Sequence, residues 1–354
     1  MKRIESLDYF RGFAIISMLI VNHPGDWAHV YPLLKHARWH GFTFADFVFP
    51  AFLFATGFSV VVSLNKRISN NKNILAHIFL RSVILFAIGL FLNGFPDYNL
   101  STIRILGVLQ RIAIVYFISA LLFLYQDKYL FYYLFAILAG YYILLLIKFP
   151  FGYGWETIGS LNQYVDTLLL GKHIWVYSPG LDPEGIVSTI PAVATSITGM
   201  LAANYYIANE NKNNATRVLF FNGLLLFLAG QAWDMFFPIN KILWTSSYVL
   251  YSSGISLVIF SFFIRFREIK NKQILYLKIF GVNPLAVYFL AALTGRIFNI
   301  WKLDCGSAKQ CMYGYIRMEQ FPPEFSSLLF SLIYPQIFFL IFYILYRFKI
   351  QIKI

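Results

Sequence analysis

The sequence predicts an all-α integral membrane protein, a polytopic helix bundle, and two observations support this fold class. Of the 354 residues, 59% are hydrophobic and only 13% are charged, whereas a soluble domain carries about 25% charged residues. The apolar residues fall into long runs that glycine, proline, asparagine and charge clusters separate. A helix needs about 20 mostly apolar residues to cross a bilayer, so lipid must solvate much of this chain.

Ten apolar runs meet that length, and we expect about ten transmembrane helices. No hydrophilic segment or internal repeat divides them, which predicts a single transmembrane domain over residues 1–354. The first run resembles a signal peptide, but no small-residue cleavage site follows it, so we expect it to be retained. The runs cover residues 5–23, 46–64, 74–94, 105–125, 129–148, 187–208, 217–236, 245–265, 277–298 and 326–347.

The distribution of basic residues predicts the orientation. With the N-terminus inside, more of the 29 lysines and arginines lie in short inner segments than in the much longer outer loops, which is the positive-inside pattern. Both termini are then cytoplasmic, and the loops near 24–45, 149–186 and 299–325 face outward. The net charge of +13 is explained by this pattern, so we expect membrane lipid and no nucleic acid as partners. A bacterial inner membrane is the expected location.

Charged residues inside the predicted spans are candidates for function, because charge in a bilayer is costly. Asp8 and Arg11 are three residues apart and can pair on one helix face, or Arg11 can meet an anionic ligand. Arg81 can likewise bind such a ligand or extend to the inner interface. The dipeptide Gln110-Arg111 enters an apolar run. The Arg111 guanidinium needs a carboxylate, a group of carbonyls or a phosphate.

The internal partners considered for Arg111 are Asp46 and Asp234, and a ligand phosphate is the alternative. Two carboxylates of the outer loop, Asp182 and Glu184, flank Pro183. They can bind a cationic substrate or cap the start of a helix.

Four of the six histidines fall between positions 23 and 40. Their spacing gives only His36 and His40 the separation suited to one ion on a helix, and neither cysteine nor glutamate lies in the segment, so we expect no metal. They can instead belong to an interfacial aromatic belt, or one can act as a general base or carry an acyl group. Asp46 can cap the next helix or orient a histidine.

These segments closely resemble the membrane heparan-α-glucosaminide N-acetyltransferase family of transmembrane acyltransferases. The likeness begins with the segment from Leu34 to Gly41, followed by Thr43, Asp46 and Val48-Phe49-Pro50. Further motifs resemble the family's in the same order: 6–12, 104–111, 182–186, Asn240-Lys241 with Leu243-Trp244 and Ser247-Tyr248, and 281–285. They extend over nearly the whole chain.

The resemblance implies acetyl-CoA as a cytoplasmic co-substrate and a glucosamine-type amine as the extracytoplasmic acceptor. It assigns catalysis to His36, with Asn22 and Asp46 beside it. The expected coenzyme A contacts are Arg11, Arg81, Gln110 and Arg111. The expected sugar contacts are Asp182, Glu184 and Trp244.

The chain also departs from the family in two ways. The lysosomal members carry an extra N-terminal lumenal domain and one more span, which we do not expect here, and His40 stands where they have asparagine. The sequence leaves open the physiological acceptor, direct transfer against an acetyl-histidine intermediate, a homodimer against a monomer, and whether Cys305 and Cys311 pair. A sugar transporter without acyl transfer is the alternative function.

Overall fold

The computed structural model describes residues 3–68, 73–147, 155, 159–177, 180–350 and 352. These residues are predominantly α-helical, which confirms the predicted class. The helices are α1 (Glu5–Asn22), α2 (Phe44–Ile68), α3 (Ile74–Gly94), α4 (Val108–Gln126), α5 (Leu130–Leu146), α6 (Leu161–Leu170), α7 (Ile186–Ala208), α8 (Lys212–Asp234), α9 (Ser246–Ile264), α10 (Leu275–Val282), α11 (Pro284–Ile300), α12 (Ala308–Ile316) and α13 (Pro323–Arg347). Strands β1 (Lys302–Leu303) and β2 (Gly306–Ser307) form a small antiparallel hairpin.

Seven helical segments of the described chain are long and apolar enough to cross a membrane. They are α2, α3, the continuous stretch Val108–Leu146 that contains α4 and α5, α7, α8, Ser246–Ile269 and α13. Helix α1 is not among them, and its 18 residues carry Glu5, Asp8 and Arg11. The count of ten spans and the side of each terminus therefore stay predictions. Part of the predicted outer loop 149–186, its residues 149–154, 156–158, 178 and 179, lies outside the described residues.

The ninth predicted run, 277–298, is broken in the structure. Helices α10 and α11 meet at a bend of 83°, and together they could make an eighth crossing. The break falls at Asn283, whose backbone is not helical. Pro284 follows it, and proline disfavours a helical conformation in the residue before it.

The chain divides into two compact units, and the single predicted domain stays a prediction. The larger unit comprises mainly residues 38–41 and 50–270, and the smaller unit comprises mainly 4–37, 42–49 and 271–350. In the larger unit, α8 and α9 pack closely through glycines. A Cβ atom at Gly230 would lie 2.4 Å from the Tyr251 amide nitrogen, and one at Gly254 would lie 2.4 Å from the Phe227 amide nitrogen. Small residues permit such close packing between membrane helices.

In the smaller unit, the backbones of α1 and α10 are in direct contact. A Cβ atom at Gly12 would lie 2.0 Å from the Leu277 carbonyl oxygen, and one at Gly281 would lie 1.7 Å from the Asp8 carbonyl oxygen. No larger side chain fits at either position without moving a helix.

The same unit contains a disulfide between Cys305 and Cys311, which spans the β1–β2 hairpin and the start of α12. The pairing that the sequence left open is therefore present in the structure.

Candidate functional site

The smaller unit brings together His36 and Asp46, two residues that the sequence singled out. His36 Nδ1 lies 2.8 Å from Asp46 Oδ1. An ionised carboxylate only accepts hydrogen bonds, so Nδ1 donates and the imidazole lone pair is on Nε2. Asp46 therefore lies at hydrogen-bond distance from His36, as the orienting role considered for it requires.

Asp46 is fixed by the chain on both sides of it. It lies in the first turn of α2, and its Oδ2 accepts hydrogen bonds from the Ala37 amide at 3.0 Å and the Thr43 amide at 3.1 Å. The Thr43 hydroxyl lies 3.0 Å from the same oxygen and 2.7 Å from the Lys35 carbonyl oxygen. Asp46 thus both satisfies the helix start and holds the histidine loop, so the two alternatives for this residue are compatible.

Exposure differs sharply between the two partners. The Asp46 side chain is 1% exposed, whereas that of His36 is 47% exposed. A buried carboxylate stabilises the imidazolium that forms when its histidine takes up a proton. The arrangement can accept a proton from an external molecule at His36.

A second histidine–carboxylate pair lies nearby in the sequence and differs in setting. His29 Nδ1 is 2.7 Å from Asp26 Oδ2, but the Asp26 side chain is 37% exposed. The hydrogen bond from His29 lowers the pKa of Asp26 below its ordinary value. Because solvent reaches both partners, this pair orients its histidine less firmly than the buried Asp46 orients His36.

The other residues of the histidine segment have separate environments. Asn22 ends α1 with an exposed side chain, and its catalytic role stays a prediction. The His23 ring stacks on Tyr334 at 4.3 Å. In the larger unit, His40 Nδ1 lies 3.4 Å from Asn240 Nδ2, and burial lowers the pKa of His40. Within the described residues, no group of three or more metal-ligating side chains converges on one point.

Arg11 and Arg81, two of the arginines predicted to bind coenzyme A, both contact other side chains of the protein. Arg11 Nη1 lies 3.8 Å from Asp8 Oδ1, which is the ion pair that their spacing allowed. The Arg81 guanidinium lies over the Tyr116 ring at 4.7 Å, and its buried Nε makes no hydrogen bond to any described residue. Neither contact excludes a ligand, so both assignments stay predictions.

Arg111 is fully buried in the larger unit, and the partners suggested for it were wrong. Its Nη2 donates to the Gly185 carbonyl at 3.1 Å and lies 2.5 Å from Ser188 Oγ, and its guanidinium lies 5.0 Å from the centre of the Trp244 ring. These contacts replace the pairing with Asp46 or Asp234. The Nε and Nη1 atoms of Arg111 make no hydrogen bond to described residues, and neither does Gln110 Nε2.

Trp244, assigned to the sugar, is also completely buried. Its Nε1 donates to Thr195 Oγ1 at 3.0 Å and its ring packs against Tyr248. The contact of Trp244 with the sugar stays a prediction. In this structure the Trp244 ring, which belongs to a family-like motif, packs beside the Arg111 guanidinium.

Asp182 and Glu184 are neutralised internally by Arg104. Arg104 Nε donates to Asp182 Oδ2 at 2.8 Å, and its Nη2 contacts Asp182 Oδ1 at 2.5 Å and Glu184 Oε2. Burial by itself lowers the pKa of Arg104, but the two carboxylates raise it above its ordinary value. Neither carboxylate caps α7, whose N-cap is Gly185 without a side-chain bond. Sugar binding by these residues stays a prediction.

Asp166, which sequence reasoning missed, connects this cluster to α6. Its two carboxylate oxygens accept from the Asp182 and Ile186 amides, each at 3.0 Å. Burial raises the pKa of Asp166. A lone aspartate in an outer loop gave no signal of this role. Thr43, by contrast, could have been assigned, because threonine followed three residues later by a carboxylate is a helix-start pattern.

The comparisons with known proteins agree with the motifs. A family model described as heparan-alpha-glucosaminide N-acetyltransferase, catalytic, matches residues 3–232. The human protein named heparan-alpha-glucosaminide N-acetyltransferase is 29% identical over 324 residues, which cover 74% of this chain and 48% of that protein. The mouse protein of the same name is 30% identical over 329 residues, with the same shares.

The chain therefore spans about half the length of the relatives that it matches. The family model covers well over half of the chain and includes His36, Asp46, Arg111 and Asp182. The chain belongs to the heparan-alpha-glucosaminide N-acetyltransferase family.

Proposed function

We propose that this protein is a membrane acetyltransferase that moves an acetyl group from acetyl-CoA to the amine of a glucosamine-type sugar. The observation that carries the proposal is the half-exposed His36 held 2.8 Å from a buried carboxylate. The family membership supplies the class of reaction, since the matched relatives are named N-acetyltransferases.

His36 is the general base in this proposal. Nε2 removes a proton from the acceptor amine as its nitrogen attacks the thioester carbonyl carbon. The carbon–sulfur bond then breaks, the acetyl group stays on nitrogen, and coenzyme A leaves as a thiolate that takes up a proton. Asp46 stabilises the imidazolium formed in this step. Asn22 donates a hydrogen bond to the developing oxyanion, a contribution that strengthens as charge builds up.

The donor approaches from the cytoplasm and the acceptor from the opposite side. Coenzyme A carries several phosphates and cannot cross the bilayer, so basic groups must hold it. Arg111 and Gln110 support this part of the proposal, because they retain buried N–H groups without a partner among the described residues. Arg11 and Arg81 are the remaining candidates. Both termini lie in the cytoplasm of a bacterial inner-membrane protein with about ten spans.

The test is acetyl transfer by the detergent-purified protein. Labelled acetyl-CoA is offered with glucosamine and other amino sugars, and the product is followed by mass spectrometry. We expect N-acetylated sugar and free coenzyme A in equal amounts. No transfer to any amino sugar, together with uptake of a sugar by liposomes containing the protein, would replace the enzyme with the transporter.

A further inference from the structure

A mainly apolar cavity with two arginines at its edge lies in the larger unit, between the first turns of α8 and the end of α9. It is a cavity of about 480 Å³ with three exposed phenylalanines, Phe220, Phe221 and Phe262, and two arginines in its lining. Its size lies within the range of small-molecule sites. The cavity lies beyond the contact between Gly223 and Gly254, where a Cβ atom at Gly223 would lie 3.0 Å from the Gly254 carbonyl oxygen.

The two arginines of this cavity are Arg217, in α8, and Arg265, in the π-helical turn that follows α9. Both side chains are exposed, and neither forms an ion pair within the part of the chain that the structure describes. π-Helical turns occur often at functional sites. Here the turn places a guanidinium at the edge of the cavity, where a fixed anion would complete its hydrogen bonds.

Ser261 supplies an independent indication of a ligand. It lines the same cavity and is 1% exposed, and its hydroxyl has no hydrogen-bond partner among the described residues. The preceding serines of α9 behave differently: Ser252 and Ser256 donate to the carbonyl four residues earlier, at 2.7 and 2.8 Å. Buried hydroxyls normally form a hydrogen bond, so an acceptor on a bound molecule would give the Ser261 hydroxyl the partner that it lacks among the described residues.

We propose that this cavity binds one anionic phospholipid. The two arginines and the Ser261 hydroxyl hold the phosphate, and the exposed phenylalanine rings, two of them 61% exposed, carry the acyl chains. Arginine favours phosphate because its planar donors match the oxygen geometry. The apolar walls favour a phospholipid over a soluble phosphate as the bound molecule, because acyl chains pack against the three rings and a phosphate alone makes no contact with them. The site also lies at a predicted cytoplasmic end of the helices, where anionic headgroups attract basic residues.

The experiment is native mass spectrometry of the full chain released from detergent, with phosphatidylglycerol or phosphatidylcholine added in increasing amounts. We expect one phosphatidylglycerol to bind more tightly than phosphatidylcholine. Arg217→Gln and Arg265→Gln should each weaken that binding about tenfold, as expected for the loss of a charge-assisted contact. Ser261→Ala should weaken it less.

Lys128→Gln is the matched control, since Lys128 is exposed and lies over the Tyr129 ring, outside this cavity. It removes one positive charge and should leave phosphatidylglycerol binding unchanged. Equal effects of all the charge variants would overturn the proposal, because they would indicate general attraction to a basic surface. Displacement of the lipid by glycerol phosphate or coenzyme A at similar concentrations would overturn it too, because the apolar walls would then contribute nothing.

Discussion

The His36–Asp46 pair and the Arg104 cluster both set carboxylates beside cationic side chains, yet they differ in which partner reaches solvent. In the first, the carboxylate is buried and the histidine is half exposed. In the second, Arg104 is 16% exposed and holds two buried carboxylates. Arginine does not lose its proton in proteins, whereas histidine changes charge near neutral pH.

This difference distinguishes a pair of residues suited to proton transfer from a cluster that stabilises the fold. A buried carboxylate that orients an accessible histidine can take part in proton transfer. A buried carboxylate pair that an arginine neutralises stabilises the loop in which it lies. A carboxylate beside a basic side chain can therefore have either role, and the identity of the base and the burial of each partner distinguish them.

The largest expected effect is that of His36→Ala. Loss of a general base lowers rates by about 10²–10⁴-fold, so kcat for acetyl transfer should fall by about 10³-fold while coenzyme A affinity is retained. Both are measured on the purified variant, by product formation and by calorimetry. His29→Ala is the matched control, because His29 has a carboxylate partner at 2.7 Å that is exposed. Equal losses in the two variants would contradict a special role for His36.

Asp46→Asn should lower kcat by about 10²-fold with little change in KM, because an amide cannot stabilise the imidazolium as a carboxylate does. The pH dependence of kcat separates this role from a structural one. A variant that only weakened the start of α2 would unfold at lower temperature and keep the wild-type pH profile.

Arg104→Met should destabilise the protein by about 3–5 kcal/mol, the usual result of leaving buried carboxylates without their cation. Thermal unfolding in detergent measures this change. Asp182→Asn tests the competing assignment to the sugar. If that variant unfolds at the wild-type temperature and raises KM for the acceptor amine, Asp182 binds substrate.

Reduction of the Cys305–Cys311 disulfide should have a smaller effect. The bond closes a short loop, with a sequence separation of 6, and loop-closure entropy for such a length corresponds to about 2 kcal/mol. The double variant Cys305→Ser with Cys311→Ser should lower the unfolding temperature without changing kcat. A loss of activity at unchanged stability would instead place the hairpin in the reaction.

The smallest effect is expected on acidification. Burial would raise the pKa of Glu184, but the charges of Arg104, Arg111 and Lys241, with the hydrogen bond from Arg104, together outweigh it and hold that pKa below its ordinary value of 4.5. A group with a lowered folded pKa stabilises the protein above its unfolded pKa, and the contribution is lost as the pH falls through the folded value. The unfolding temperature should therefore decline below pH 4.5 less steeply in Arg104→Met than in the wild type.

The sequence predicted the helices well, because each apolar run carries its own signal. It missed the bend at Asn283, although Pro284 within the run was a local sign of it. His36 and Asp46 are ten residues apart, and their pairing was accessible as one of two alternatives. The contacts of Arg104 and Arg111 join residues more than 70 positions apart. Such pairings depend on how helices pack, and no local pattern encodes them.

The backbone contact between α1 and α10 has a consequence for motion. Since Gly12 and Gly281 leave no side chain between the two helices, neither helix can slide or rotate past the other without a steric clash. The two helices should therefore move together as one rigid body. A displacement of this pair relative to α11 would have to change the backbone at Asn283, the non-helical residue between α10 and α11.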